Sequence, residues 1–364
     1  MATVRDRMIE PRCAPVVGLP LHARWQRLLF PTPPMSLLSM LLVAAIAWLA
    51  WRFVQWAILD AHWSGSTSDA CPPDGGACWA FLAARWRPWL VGGYPADQLW
   101  RAWLVFATFI AYWIWLTRRP PGPATARALW GFVLLPVVLF LILFGGGPLS
   151  VVPPTRWGGL LLTLVATLAT FATALPLGLL LALGRRSRLP IVCTLSAAFV
   201  ETMRSVPLLV VLFIAATLLP LLLPSGWNVD LFARALGAFA LFNAALAAEV
   251  FRGGLQTVGH GQLEAATTVG LSDFAALRLV VLPQAITAVV PALVNIMIAV
   301  IKETTLLSVI GVNDLLGAVE NGAKSPEWMG DANILTSGQV FLAMVYLAVC
   351  YGLSRYSRRL EARR

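Results

Sequence analysis

The sequence predicts an all-α, polytopic integral membrane protein with about eight transmembrane helices, and three observations carry that expectation. Hydrophobic residues make up 59% of the 364 positions and charged residues 12%, about half the roughly 25% charged content of a soluble domain. The apolar residues fall in separate runs, each near the roughly 20 residues that cross about 30 Å of hydrocarbon as a helix. The arginines collect in short stretches between those runs, at Arg118-Arg119, Arg185-Arg186-Ser187-Arg188 and Arg355 to Arg364, as in loops retained in the cytoplasm. A nucleic-acid-binding face would instead interleave basic and aromatic residues on a soluble scaffold. The net charge of +10 therefore reads as topology, with no nucleic-acid partner.

Residues 1–35 form a basic arm with Arg5, Arg7, Arg12, Arg24 and Arg27. The apolar run that follows starts late and is too long for a signal-peptide core, so the arm is expected to stay in the cytoplasm. Spans are expected at about 36–58, 100–117, 128–146, 158–183, 191–219, 231–252, 286–308 and 336–354. With the arm inside, the loop from Asp60 to Leu99 lies outside, Arg118-Arg119 inside and Gly145 to Pro148 outside. Arg185 to Arg188 returns inside, Pro220 to Asp230 lies outside, Gly253 to Ala285 inside and about 309–335 outside, which leaves both termini in the cytoplasm. Arg85, Arg87 and Arg101 run against the bias, but long loops follow it loosely. The same loop carries Trp79, Trp86, Trp89 and Trp100, whose indoles favour the headgroup layer.

The five cysteines show no C-x-x-C spacing and histidine is scarce, so no metal site is expected. Cys13, Cys193 and Cys350 fall at or inside the cytoplasmic half of the membrane. Cys71 and Cys78 share the outer loop, where free thiols and a disulfide both fit.

The chain divides near residue 150. An accessory three-helix region, 36–150, carries the Trp-rich loop at 60–99. A five-helix core, 151–358, carries the long inner loop at 253–285, and a basic tail follows at 359–364. The core holds the polar residues that a translocation path needs. A charge at mid-membrane costs roughly 2.5–3.5 kcal/mol on insertion scales. Glu201 and Arg204 share one helical face and can neutralise each other, and Glu249 and Arg252 repeat the arrangement. Pro207 removes a backbone hydrogen bond close by. Asn243 and Asn295 are further candidates on the path. Lys302 and Glu303 point about 100° apart and cannot simply pair, so at least one faces another helix, another subunit or a watery cavity. Thr163, Thr167 and Thr170 form one stripe, which either lines a path or allows close helix packing.

The segment from Gly261 to Ala285 is the most specific. Glu264-Ala265-Ala266 is expected to start a short helix, since an acid suits its first turn, and Gly270 to end it. Ser272 then N-caps a second piece with Phe274, Leu277 and Val281, and Pro283 is expected to break the chain before the next span. The result is a helix–glycine–helix elbow, a compact knob that fits either along the membrane surface or into a groove of a cytoplasmic partner. The Glu264-Ala265-Ala266, Gly270 and Leu282-Pro283-Gln284 pattern resembles the coupling loop of binding-protein-dependent ABC importer permeases. Arg204-Ser205-Val206-Pro207-Leu208-Leu209, Glu249-Val-Phe-Arg252-Gly253-Gly254 and Lys302-Glu303-Thr304-Thr305-Leu306 are similar to motifs of the polar amino-acid branch. Trp25 to Phe30, Cys78-Trp79-Ala80-Phe81, Gly93-Tyr94-Pro95 and Leu99-Trp100-Arg101 resemble the larger permeases of general L-amino-acid transporters, which carry three extra N-terminal spans. Leu246, where Tyr is common, and Gly259-His260-Gly261, where Pro-Lys-Gly is common, depart from the pattern; His260 is expected to be a solvated loop residue.

The resemblance implies a permease subunit in a bacterial inner membrane, forming half of a path for L-amino acids. Its partners would be a cytoplasmic ATPase dimer that binds ATP and Mg, a second permease (a distinct one, or a second copy) and a periplasmic amino-acid-binding protein. The chain itself has no phosphate-binding G-x-x-x-x-G-K-[ST] run, so no cofactor and no ATPase activity of its own are expected. A secondary transporter driven by H⁺ or Na⁺ through Glu201, Glu249 or Glu303 is the alternative from another class. A membrane-bound enzyme or assembly factor lacks a nucleophile or metal cluster to support it.

Overall fold

The computed structural model describes residues 29–30, 32–118, 123–224, 226–330 and 332–362. The basic arm before residue 29 with Cys13, Arg119 and the last two residues of the tail lie outside the described residues. Among the described residues there is no β-strand, only isolated bridges.

Backbone contacts divide the chain into two units, the first ending at Ala61. The first unit contains α1 (Pro33–Val54), extended by a π-helical turn over Gln55–Leu59. Prolines at its start supply a φ already suited to a first helical turn. None of the residues of α1 is buried, and a helix that is apolar all round and uncovered is built for hydrocarbon.

The second unit opens with two short helices, α2 (Trp79–Ala84) and α3 (Trp86–Val91), followed by α4 (Leu99–Arg118) and α5 (Pro123–Phe144). Then come α6 (Gly159–Gly184), α7 (Pro190–Ser205), α8 (Leu208–Leu222) and α9 (Leu231–Thr257). The chain closes with α10 (His260–Thr268), α11 (Asp273–Val309), α12 (Leu315–Ala323) and α13 (Ala332–Glu361). Among the described residues, five helices are long and apolar enough to cross a membrane: α1 with its extension, α6, α9, α11 and α13. The α7–α8 pair counts as a sixth if it is one bent span, and α4 and α5 are apolar helices of 20 and 22 residues. Every segment expected to span thus forms a helix.

Two of them differ in form. The expected single span at 191–219 is two helices bent by 103°. The residue before a proline is pushed out of the α region, and Val206 before Pro207 is extended, at φ −102 and ψ 136. The second difference lies at Pro283, which does not break the chain. A π-turn over Leu277–Val281 precedes it, with the amide of Leu282 donating to the carbonyl of Leu277. The ladder has therefore already slipped its register when the proline arrives, and α11 runs on without a break through Pro283 to Glu303, with a turn at Thr304-Thr305 before its last four residues.

The centre of the second unit is α6, packed most extensively on α9 and also on α5, α7 and α11. Close approach of α6 and α9 is possible because the contact residues are small. A methyl group on Gly178 would lie 2.7 Å from the Cβ of Ala247 and 2.9 Å from the carbonyl oxygen of Ala244.

A cap closes the α6 N-terminal end. Cys71 and Cys78 are joined in a disulfide, and the amide of Cys78 donates to Ser337 Oγ on α13 at 2.7 Å. Phe81 meets Trp328 edge-on at 5.4 Å and Trp89 meets Phe341 at 4.7 Å. Arg85 donates to Ser325 at 3.1 Å and lies 3.5 Å from Glu327. The Trp-rich loop is thus folded onto the α12–α13 region, with its buried aromatics contributing burial well beyond headgroup anchoring.

Candidate functional site

At the opposite end of α6 lies the elbow. Its first helix, α10, starts at His260, four residues earlier than the expected Glu264 start, because Gly259 is already extended at φ −60 and ψ 145. Glu264 and Ala265 are therefore exposed mid-helix and Ala266 is buried against the bundle. Gly270 follows at φ +89, a left-handed turn that glycine takes without strain. The Ser272 hydroxyl accepts from the amide of Ala275 at 3.3 Å and caps α11. Gln284 donates to Gln262 at 3.4 Å and to the carbonyl of Val280 at 3.0 Å, tying the two arms of the elbow together. Val269 and Phe274 stand 84% and 70% exposed at its tip, more apolar surface than a free polar loop would carry.

The elbow continues directly into α11. Leu282 and Pro283 lie on its first turns, and further along the same helix come Asn295, Lys302 and Glu303. Asn295 and Lys302 are seven residues apart and both exposed, so they share one open face. Lys302 has no ion pair among the described residues. Glu303 turns the other way. One of its carboxylate oxygens is buried without a hydrogen bond, beside Asn243 on α9, which is itself fully buried and donates to the carbonyl of Phe239 at 3.1 Å. The two adjacent charges thus part in space, one to the open face and one into the core.

Arg185, Glu201, Arg204, Glu249 and Arg252 meet near the elbow end of the bundle. Glu249 is the hub, at 2.5 Å from Arg185, 2.8 Å from Arg252 and 3.7 Å from Arg204. Glu201 lies 3.1 Å from Arg185 and 4.0 Å from Arg204. The two Glu-x-x-Arg pairs are therefore not separate. They form one network of three guanidiniums and two carboxylates that joins α6, α7 and α9, with Pro207 at the kink beyond it.

Thr163, Thr167 and Thr170 are 2%, 3% and 1% exposed. Thr167 donates to the carbonyl of Thr163 at 2.7 Å, and Thr163 Oγ1 accepts from the amide of Leu315 at 3.1 Å. The stripe packs inside the subunit. Beside it Asp314, fully buried, caps α12 by accepting from the amide of Gly317 at 2.9 Å, while its other oxygen has no partner. Burial pushes this carboxyl up from 3.8 to about 6.

Two of these residues were not singled out in the sequence. Arg185 reads there as one more basic loop residue, and only the folded bundle brings it to Glu201 and Glu249. Asp314 has one usable signal, an acid directly before an apolar run that starts a helix.

Residues 174–364 match the family described as binding-protein-dependent transport system inner membrane component. The inner membrane amino-acid ABC transporter permease protein YhdY of Escherichia coli (strain K12) is 42% identical over 331 residues, covering 89% of this chain and 88% of that one. The glutamate/glutamine/aspartate/asparagine transport system permease protein BztC of Rhodobacter capsulatus is 33% identical, covering 98% of this chain and 97% of that one. A crystal structure of an amino acid ABC transporter with histidines matches at 30% identity and a TM-score of 0.50, covering 57% of this chain and 92% of that chain. A helical bundle with an elbow on an unbroken helix, a family match over more than half of the chain and relatives aligned along nearly their full length converge: the chain belongs to the binding-protein-dependent transport system inner membrane component family.

Proposed function

We propose that this subunit forms half of a translocation path for L-amino acids and is driven by a separate ATPase that grips the elbow. The observation that carries the reading is the continuity of α11. Phe274 at the elbow tip and Lys302 on the open face lie on one helix, about 42 Å apart at 1.5 Å per residue. A displacement imposed at the elbow is transmitted along that helix as a lever, because a packed helix moves as a rigid body. Glu264, Ala265, Ala266, Gly270, Leu282, Pro283 and Gln284 make up the gripped segment and its root. Asn295 and Lys302 line the path against a second permease, and an uncompensated ammonium suits the carboxylate of an amino acid. Glu249 and its arginines hold the frame from which α11 moves, and Asn243 and Glu303 brace it from the core side.

The same reading places the elbow in the cytoplasm and the disulfide cap outside. The bond between Cys71 and Cys78 supports this orientation, since disulfides persist in oxidising compartments, and so do the arginines at the elbow end. A periplasmic binding protein then delivers substrate to the capped end. ATP and Mg are held by the ATPase, and the second permease is a homologous, distinct chain. The accessory region ends and the five-helix core begins near residue 150.

The test is amino-acid uptake into vesicles carrying the purified complex. Uptake is expected to require ATP and binding protein, and to fall sharply in Lys302→Gln with ATPase binding intact. Uptake by the subunit alone on a proton or sodium gradient would replace this reading with the secondary transporter, with part-buried Glu303 as the coupling carboxylate.

A further inference from the structure

A cavity of 720 Å³ lies beneath the elbow, and we propose that it holds the phosphate-ester headgroup of an anionic phospholipid from the adjoining membrane leaflet. The proposal rests on the orientation given above, which makes that leaflet the cytoplasmic one. Leu183, Leu255, Leu277 and Val281 belong to the apolar part of its wall. Leu183 and Leu255 are the final residues but one and two of α6 and α9, and Val281 precedes the membrane-spanning part of α11. The cavity therefore sits where hydrocarbon gives way to headgroups. Its polar lining includes Arg186, Arg188, His260 and Asp273.

Charge and hydrogen bonding point the same way. Arg186 makes one long bond, 3.4 Å to the carbonyl of Leu255, and its other guanidinium groups have no partner among the described residues. Arg188 is 3.7 Å from Asp273 in a pair that is 96% and 79% exposed, too solvated to hold the arginine against a stronger anion. The lining thus offers two guanidiniums over an apolar wall with a single acid in competition. Basic pockets between membrane helices on the cytoplasmic side take anionic headgroups, and their apolar part accepts the start of the acyl chains. The ATPase grips the exposed outer side of the elbow, whereas this cavity faces its inner side. A bound lipid would join α6 to α10 and α11, and so couple the elbow to the bilayer.

The experiment uses the complete complex, reconstituted in equal parts of phosphatidylglycerol and phosphatidylcholine, with lipid retained through purification measured by mass spectrometry. Wild type is expected to enrich phosphatidylglycerol. Arg186→Gln with Arg188→Gln should lower the enrichment up to about 30-fold, which is about 2 kcal/mol at roughly 1 kcal/mol per basic group. Asp273→Asn should raise it, a gain that a misfolded protein could not produce. Unchanged enrichment in the double variant, or no gain in Asp273→Asn, overturns the proposal. So does displacement of the lipid by soluble glycerol phosphate, which would make the source a free phosphate ester. Retention seen only after the ATPase is stripped away would assign the cavity to the motor instead. Failure of the importer reading shows separately, as uptake without ATP in the same preparation.

Discussion

Replacing Asp314 with Asn is expected to stabilise the subunit at neutral pH, although it removes a buried carboxylate from a helix cap. Asp314 is fully buried, one oxygen accepts from the amide of Gly317 at 2.9 Å and the other has no partner. Burial pushes its carboxyl from 3.8 up to about 6. The native state therefore holds the proton more tightly than the unfolded chain does. Its stabilising contribution is full below about pH 4 and is lost as pH rises through about 6. The gap between 3.8 and about 6 corresponds to up to about 3 kcal/mol at roughly 1.36 kcal/mol per pH unit. Asn caps a helix about as well as Asp and cannot ionise. Denaturant unfolding in mixed micelles should give equal stability at about pH 4 and an advantage of up to about 3 kcal/mol for Asp314→Asn at about pH 8. A wild-type profile that is flat between those values, or a variant less stable at the higher pH, refutes the reasoning.

The Glu249→Gln change should cost about 2–3 kcal/mol in the same assay. That is below the 3–5 of a fully buried pair, because Arg204 and Arg252 are more than a third exposed; a loss under about 0.5 kcal/mol would show that the network is not a joint. Gly178→Leu should overpack the α6–α9 crossing, where even a methyl meets Ala247 at 2.7 Å, and cost at least about 1–3 kcal/mol; unchanged stability would mean that the helices are not this close. Changing Cys71 and Cys78 to Ser opens a bond with a sequence separation of 7, worth about 2–3 kcal/mol by loop entropy. The cap should then be cut by protease much faster in 60–99 while α6 to α13 stay protected; equal cutting rates would count against the disulfide as its staple.

The helices were legible in the sequence because apolar runs and arginine punctuation report directly on the bilayer. Gly270 and Ser272 were legible as elbow signals because each has a local cause, a left-handed turn and an N-cap. Pro207 and Pro283 look alike in sequence yet act differently. The first follows a residue that it forces into an extended conformation, while the second follows a π-turn that no composition rule announces. The ion pairs were legible only within each helix. Arg185 joins them from 16 residues and 64 residues away, which is tertiary information. The same holds for the disulfide cap, whose partners Ser325, Trp328 and Ser337 lie some 240 to 260 residues along the chain.

The central claim is that the elbow transmits work from an ATPase to the path along α11. The most direct test is ATP-driven amino-acid uptake by the complete complex carrying Gly270→Trp or Glu264→Arg. At Gly270 an added Cβ meets nothing within 4 Å, so the bundle should fold, with helix content unchanged. The positive φ would cost about 1–2 kcal/mol and tilt the tip. The account predicts that both variants lose uptake, by releasing the ATPase or by hydrolysing ATP without transport. Wild-type uptake and wild-type ATPase binding in both would contradict it.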